Sequence, residues 1–237
     1  MKVVAVIAAW NERENIEALT RRLHDSLRSI ADSTFEILYV IEGNDGTREI
    51  AERLRTELGN IRILYEQHPH GLGAAFRRGF SSVAHDADLV VTMDADLNHQ
   101  PEEIPRLIDA LHAAEADIVI GSRAVIGSTV TGTPAWKRAL SATLNTIMHV
   151  LFGAGIRDKT SGFRVYRASV LRNLPHRQND FSFLPEIAIR AQQAGCRIIE
   201  EPIHFIYRRD GKSKMRFLPT SLSYIALMRM WWKDRRR

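Results

Sequence analysis

The sequence holds one cysteine, Cys196, so no internal disulfide can form and the chain fits a reducing compartment. No apolar run approaches the roughly 20 residues that a bilayer-spanning helix needs. There is no internal repeat and no low-complexity tract, which argues against a solenoid or a disordered linker. Lys2 followed by apolar Val3–Trp10 superficially resembles a secretion signal. The run is only strand-length, however, has no small-x-small cleavage site and leads into Asn11-Glu12-Arg13-Glu14, so it reads as the first core strand.

What is present suits a folded protein. The 237 residues are 45% hydrophobic and 26% charged, enough for one large α/β domain or for one domain with an extension. The net charge of +5 hides an asymmetry. Residues 208–237 carry +8, which leaves −3 on the other 207. The positive charge therefore belongs to the tail and points to an anionic surface or substrate near it.

Strand and helix patterns alternate through the first half. Strands are expected at Lys2–Ala9, Phe35–Ile41, Ile61–Tyr65, Asp88–Met93 and Asp117–Gly121. Helices are expected at Glu14–Ile30, Thr47–Leu58, Leu72–Val83 and Ile104–Ala114. This rhythm predicts a mostly parallel sheet covered on both faces. Ser122–Pro134 then reads as a Gly/Ser/Thr-rich loop able to close over a ligand. Helices are expected at Ala135–Leu151, Leu184–Ala194 and Phe217–Lys233. A strand is expected at Phe163–Arg167, and one or two within Arg197–Tyr207.

The most informative stretch is Leu89–Pro101. A buried-strand run ends on Asp94 and Asp96, and Pro101 with Glu102 and Glu103 opens a helix. Carboxylates at the carboxyl end of a buried strand sit where open α/β sheets bind ligands. A hard cation, Mg²⁺ or Mn²⁺, relieves their repulsion and gives its remaining positions to phosphate oxygens and water. Asn98 and Gln100 are possible outer ligands. Taken alone, the two aspartates could equally be turn and cap residues.

Other candidates are weaker. Gly71 and Gly73 precede a helix and could approach a phosphate, but a tight turn with close helix packing explains them as well. Trp10 could stack on a nucleobase, with Glu12 accepting from its amino groups. The alternative is a core tryptophan beside a capped helix start. Arg123 and Arg164 sit in polar turns and, with Arg138, Arg208 and Lys214, could clamp phosphates; each could also be a solvated surface charge. Glu186 could face an acceptor site as a general base, or be a first-turn acid that favours the helix dipole. His68, His70 and His99 lack metal spacing and read as loop residues. Cys196 reads as a buried structural thiol. Leu222–Trp232 followed by Lys233–Arg237 suits a helix lying in a headgroup region, or one docked on protein.

Together these segments resemble the polyprenyl-phosphate glycosyltransferases of inverting glycosyltransferase family 2, especially their dolichol-phosphate mannose synthase branch. The matching segments are Trp10–Ile16, Gly71-Leu72-Gly73, Met93-Asp94-Ala95-Asp96-Leu97 with Pro101-Glu102, and Gly121-Ser122-Arg123. Thr160–Arg164, Glu201-Pro202-Ile203 and Gly211–Lys214 extend the match in family order.

The resemblance implies a GT-A fold over residues 1–216, with a basic amphipathic helix over 217–237. It implies Mg²⁺ or Mn²⁺ at Asp94 and Asp96 with Asn98 beside it, and Arg123, Arg138, Arg208 and Lys214 on phosphates. It also implies a nucleotide-sugar donor, GDP-mannose favoured, and a polyprenyl phosphate acceptor. The enzyme would lie peripherally on the cytosolic face of a membrane. Nucleic acid is not expected as a partner; a homo-oligomer is possible. Ala8, Trp10, Glu12, Glu42 and Ala95 fall with the donor pocket. Two segments depart from the family: Ala8-Ala9-Trp10 replaces its usual Pro-Thr-Tyr, and Ile41–Asp45 is one residue shorter. UDP-glucose, UDP-GlcNAc or a hydroxyl acceptor are therefore alternatives, and a non-catalytic nucleotide-binding module is a remoter one. An ionised phosphate acceptor requires no strong base, whereas a hydroxyl acceptor would require one, with Glu186 the candidate.

Overall fold

The strand β1 (Lys2–Trp10) is fully buried from Val3 to Ile7, as a parallel strand covered on both faces must be. It lies within a seven-stranded sheet of order β3-β2-β1-β4-β7-β5-β8. Here β2 is Thr34–Glu42, β3 Ile61–Glu66, β4 Leu89–Asp94, β5 Ile118–Ser122, β7 Arg164–Arg167 and β8 Ile198–Pro202. All neighbours run parallel except β7, which is antiparallel to both β4 and β5. The computed structural model describes residues 1–136, 143, 145, 146, 148 and 155–207.

Helices α1 (Ile16–Arg28), α2 (Thr47–Leu58) and α4 (Ile104–Ala113) cover one face of the sheet. Helices α3 (Leu72–Ser81), α5 (Ala168–Asn173) and α6 (Phe183–Gln193) cover the other. The packing follows the helical period. In α1, Ile16, Leu19, Leu23 and Leu27 are all fully buried, each worth roughly 1.5–3 kcal/mol of apolar transfer.

The second half differs from expectation in two places, the strand β6 and the helix α5. The loop expected over Ser122–Pro134 contains the strand β6 (Thr129–Thr131), paired in parallel with β9 (His204–Ile206) in a separate two-stranded sheet. Arg197–Tyr207 resolves into β8 and β9, broken after Pro202. Helix α5 follows β7 directly, its six residues too short to show a periodic pattern. Most of the helix expected over Ala135–Leu151, and all of Phe217–Lys233, lie outside the described residues. Among the described residues, no helix is long and apolar enough to cross a membrane.

The chain leaves β1 toward β2 and β3, then crosses back to β4 on the other side. The crevice outside the carboxyl ends of β1 and β4 is thus the topological switch point where such sheets bind ligands. Register places Ala8 beside Asp94 and Trp10 beside Glu42 at this edge. Because β5 is parallel to β4, Ser122 and Arg123 end at the same edge. Because β7 is antiparallel, the segment leading into it, Thr160–Phe163, enters there too.

Candidate active site

Asp94 is the last residue of β4. After it the backbone turns sharply: Leu97 has φ 60°, a left-handed conformation that costs a branched residue roughly 1–2 kcal/mol. The turn returns Asn98 to Asp96, whose Oδ1 accepts the Asn98 N–H at 3.0 Å and whose Oδ2 accepts the Asn98 amide at 2.5 Å. Pro101 then starts the 3-10 turn (Pro101–Glu103) that runs into α4. Ala95 is buried in the core beneath the turn.

Asp94 also has a close neighbour on the β7 side. A Cβ at Gly162 would lie 2.7 Å from Asp94 Oδ1, so only glycine lets that backbone approach the carboxylate. The Thr92 hydroxyl donates to the Gly162 carbonyl at 2.8 Å and fixes the approach.

Burial pushes the Asp94 carboxyl up, against the opposing pull of Arg123. Burial, together with the charge of Asp94, pushes Asp96 up to about 6. Neither carboxylate lies within ion-pair distance of a lysine or arginine among the described residues. Two neighbouring carboxylates with no direct cationic partner suit a hard cation. Among the described residues, no three His, Cys, Asp or Glu side chains form a complete metal cage. A cation held here would therefore keep positions for ligand oxygens, as Mg²⁺ and Mn²⁺ do at phosphates.

Arg123 stands on the other wall. Its Nε and Nη2 fork the Asp158 carboxylate at 2.7 and 2.8 Å, and Nη2 also reaches the Thr160 hydroxyl at 2.9 Å. Burial alone would push Asp158 up, but the Arg123 guanidinium outweighs it and holds the carboxyl well below the usual range. Glu200 braces the turn beneath by accepting the Arg157 and Asp158 N–H groups at 2.6 and 2.8 Å. Arg123 also lies over the Phe205 ring, 5.3 Å from its centroid. The guanidinium's field extends to both Asp94 and Asp96.

On the β1–β2 side, Trp10 ends β1 40% exposed. Glu42 is buried at the end of β2 and accepts the His70 N–H at 3.2 Å. Burial pushes its carboxyl up. Glu12 accepts the Asn15 side-chain amide at 2.7 Å, and its own N–H donates to Thr47.

Several sequence readings are corrected. Arg164 is no phosphate clamp: it is fully buried, and its guanidinium donates to the carbonyls of Ser161, Leu184 and Lys159. Glu186, in the first turn of α6, is not placed as a base. It is fully buried, accepts the N–H groups of Arg177 and Gln178 at 2.9 and 2.8 Å, and pairs with Arg190 at 2.9 Å. The glycines before α3 approach protein, not open space. Added Cβ atoms would lie 2.4 Å from the Asn179 carbonyl at Gly71 and 2.3 Å from the Gln178 carbonyl at Gly73. The N–H groups of Gly73 and Ala74, which a phosphate would need, already donate to Asn179. His99 does lie in the loop after β4, but buried there, 1% exposed. Cys196 is only partly buried. Arg138, Arg208 and Lys214 lie outside the described residues.

Sequence reasoning missed Asp158 and Gly162. Both lie in or beside Thr160–Arg164, where a carboxylate and a glycine two residues either side of Thr160 were the available signal.

The family model for glycosyl transferase family 2 matches residues 4–174. The polyprenol monophosphomannose synthase of Mycolicibacterium smegmatis is 37% identical over 221 residues, covering 90% of this chain and 81% of that protein. The undecaprenyl-phosphate mannosyltransferase of Micrococcus luteus is 33% identical over 220 residues, covering 91% and 88%. The dolichol-phosphate mannosyltransferase of Pyrococcus furiosus is 33% identical, covering 91% of this chain and 60% of that protein. Among solved structures, the glucosyl-3-phosphoglycerate synthase of Mycobacterium tuberculosis with Mn²⁺, UDP-glucose and phosphoglyceric acid superposes with a TM-score of 0.67. That match is 19% identical and covers 96% of this chain and 78% of the other; it shows a shared GT-A fold. With a family model matched along most of its length and mannosyltransferase relatives above 30% identity over nine-tenths of it, the chain belongs to glycosyl transferase family 2.

Proposed function

We propose that the protein transfers a hexose, mannose from GDP-mannose in the favoured reading, to a polyprenyl phosphate at the cytosolic surface of a membrane, inverting the anomeric centre. The relatives' names supply the sugar and the lipid phosphate. The observation that carries the reading is the edge itself, where an acidic pair without a direct ion pair to Lys or Arg among the described residues lies in the field of the braced guanidinium of Arg123.

Asp94 and Asp96 would hold Mg²⁺ or Mn²⁺ with Asn98 beside it, and the bound ion would supply charge neutralisation of the donor diphosphate and its leaving group. Trp10 offers a face for the base, and Glu42 an acceptor for ribose or base hydroxyl and amino groups. Arg123 spends Nε and Nη2 on Asp158 and Thr160 and keeps Nη1 for a phosphate oxygen. Arg138, Arg208 and Lys214 are proposed as further phosphate contacts. The acceptor needs no base from the protein. A phosphate monoester has a second pKa near 6 and arrives ionised at neutral pH. That agrees with Glu186, the base candidate, being committed to two backbone amides and Arg190. The residues' task is then to hold two anionic groups in line and offset their repulsion.

The test is a thermal-shift screen of GDP- and UDP-sugars with Mn²⁺. A donor at about 100 times its Kd contributes about 2.7 kcal/mol, which raises Tm by about 5–11 °C in a chain of this size. GDP-mannose should do so, and EDTA or Asp96→Ala should abolish the effect. Stabilisation by a UDP-sugar alone would replace the donor. A shift that survives both EDTA and Asp96→Ala would overturn the site.

A further inference from the structure

Among the described residues, His99 is the histidine buried beside the acidic pair, 1% exposed, and its ring nitrogens make no hydrogen bond. Its ring is gripped by Phe163, centroids 5.3 Å apart, and by the edge-on Phe205 at 5.4 Å. Buried polar groups without partners are rare, and each requires an explanation. Two phenylalanine neighbours and almost no exposure leave water a poor one. The nearest acceptor is Asp94, whose Oδ2 lies 3.6 Å from Nδ1. That is too long for a hydrogen bond but only a side-chain adjustment from one.

The carboxylate of Asp94 is thus bounded on both sides. Oδ1 faces the Gly162 backbone, where no Cβ fits, and Oδ2 faces the imidazole. Asp96 has its own support from Asn98; among the described residues, Asp94 has none unless His99 supplies it. Carboxylates that ligate metals are themselves hydrogen-bonded, and losing such a partner weakens metal binding about 10–100-fold.

We propose that His99 is a positioning residue that donates its Nδ1–H to Asp94 and so fixes that carboxylate in the orientation that receives a divalent cation. The inference rests on the acidic pair being the cation site. An imidazole carries at least one N–H to donate in either protonation state, and the aromatic clamp of Phe163 and Phe205 sets its direction. The clamp also joins the two walls of the site, because Phe205 touches both His99 and Arg123.

The test is titration of the full chain with Mn²⁺ alone, followed by the electron paramagnetic resonance signal of the free ion, beside the Tm of each variant in EDTA. His99→Phe should keep the Tm in EDTA, since an apolar ring replaces an unpaired polar one, and should bind Mn²⁺ about 10–100-fold more weakly. His99→Asn, whose amide N–H takes the place of Nδ1–H, should recover most of the affinity. His99→Phe binding as tightly as the wild type, or His99→Asn binding as weakly as His99→Phe, would overturn the proposal. Asp94→Ala and Asp96→Ala address the site separately. Wild-type binding in both would overturn the acidic pair as the cation site, whatever His99 does.

Discussion

Replacing Glu186 by Gln separates two chemistries. As the base for a hydroxyl acceptor, Glu186 would contribute the 10²–10⁴-fold typical of positioned proton transfer, and its loss would leave stability nearly unchanged. The structure makes the opposite demand. One glutamine oxygen can still accept the Arg177 and Gln178 amides, but its NH₂ then faces the Arg190 Nε–H, donor against donor. Breaking a buried pair costs roughly 3–5 kcal/mol. The lower end applies here, because Arg190 keeps 11% of its side chain open to solvent. About 3 kcal/mol corresponds to a Tm lower by about 6–12 °C at this chain length. The assays are calorimetry and single-turnover transfer to a short-chain polyprenyl phosphate at 20 °C, well below the transition. The expected result is a clear drop in Tm with turnover per folded molecule within a few-fold of wild type. Loss of turnover by more than about 100-fold at an unchanged Tm would refute the argument and restore Glu186 as a base.

Other outcomes follow from the same geometry. Gly162→Ala places a methyl 2.7 Å from Asp94 Oδ1; the carboxylate must shift, so donor-plus-Mn²⁺ stabilisation should fall while circular dichroism stays native. Asp158 is an acid whose folded-state pKa lies below its unfolded value near 3.9, so its contribution is present above that pH and lost as pH falls below it. The stability gap between wild type and Asp158→Asn, measured by urea unfolding, should be full at pH 7 and shrink below about pH 4; a gap that does not depend on pH would dismiss the ion pair. Removing residues 222–237 should abolish binding to anionic vesicles in a flotation assay and spare activity on short-chain acceptor; unchanged flotation would dismiss the tail as an anchor.

The first half of the chain was legible because each element carries its own period. Val3–Ile7 and Leu89–Met93 are unbroken apolar runs, and Ile16, Leu19, Leu23 and Leu27 repeat on one helical face. The acidic doublet was legible because its spacing and the following Pro101 are local. What escaped was set by distant segments. β6 is three residues whose partner lies some 75 positions away. Arg164 reads as a surface charge until three carbonyls from two chain segments converge on it. His99 reads as loop until Phe163 and Phe205 close over it. The two glycines before α3 look like a phosphate cradle because sequence shows the N–H groups offered but not the Asn179 carbonyl that takes them.

The reversed strand β7 has one further consequence. Because it runs against β4 and β5, the Gly121 N–H meets the Phe163 carbonyl at 2.8 Å, and the long excursion between them leaves and rejoins the sheet at adjacent points. The Ser161 hydroxyl donates to the Gly121 carbonyl at 2.6 Å and ties the same two points together a second time. Ser122 and Arg123 at the excursion's start and Thr160 at its end are thereby brought to one place on the sheet edge, which is how the Arg123 guanidinium reaches the Thr160 hydroxyl.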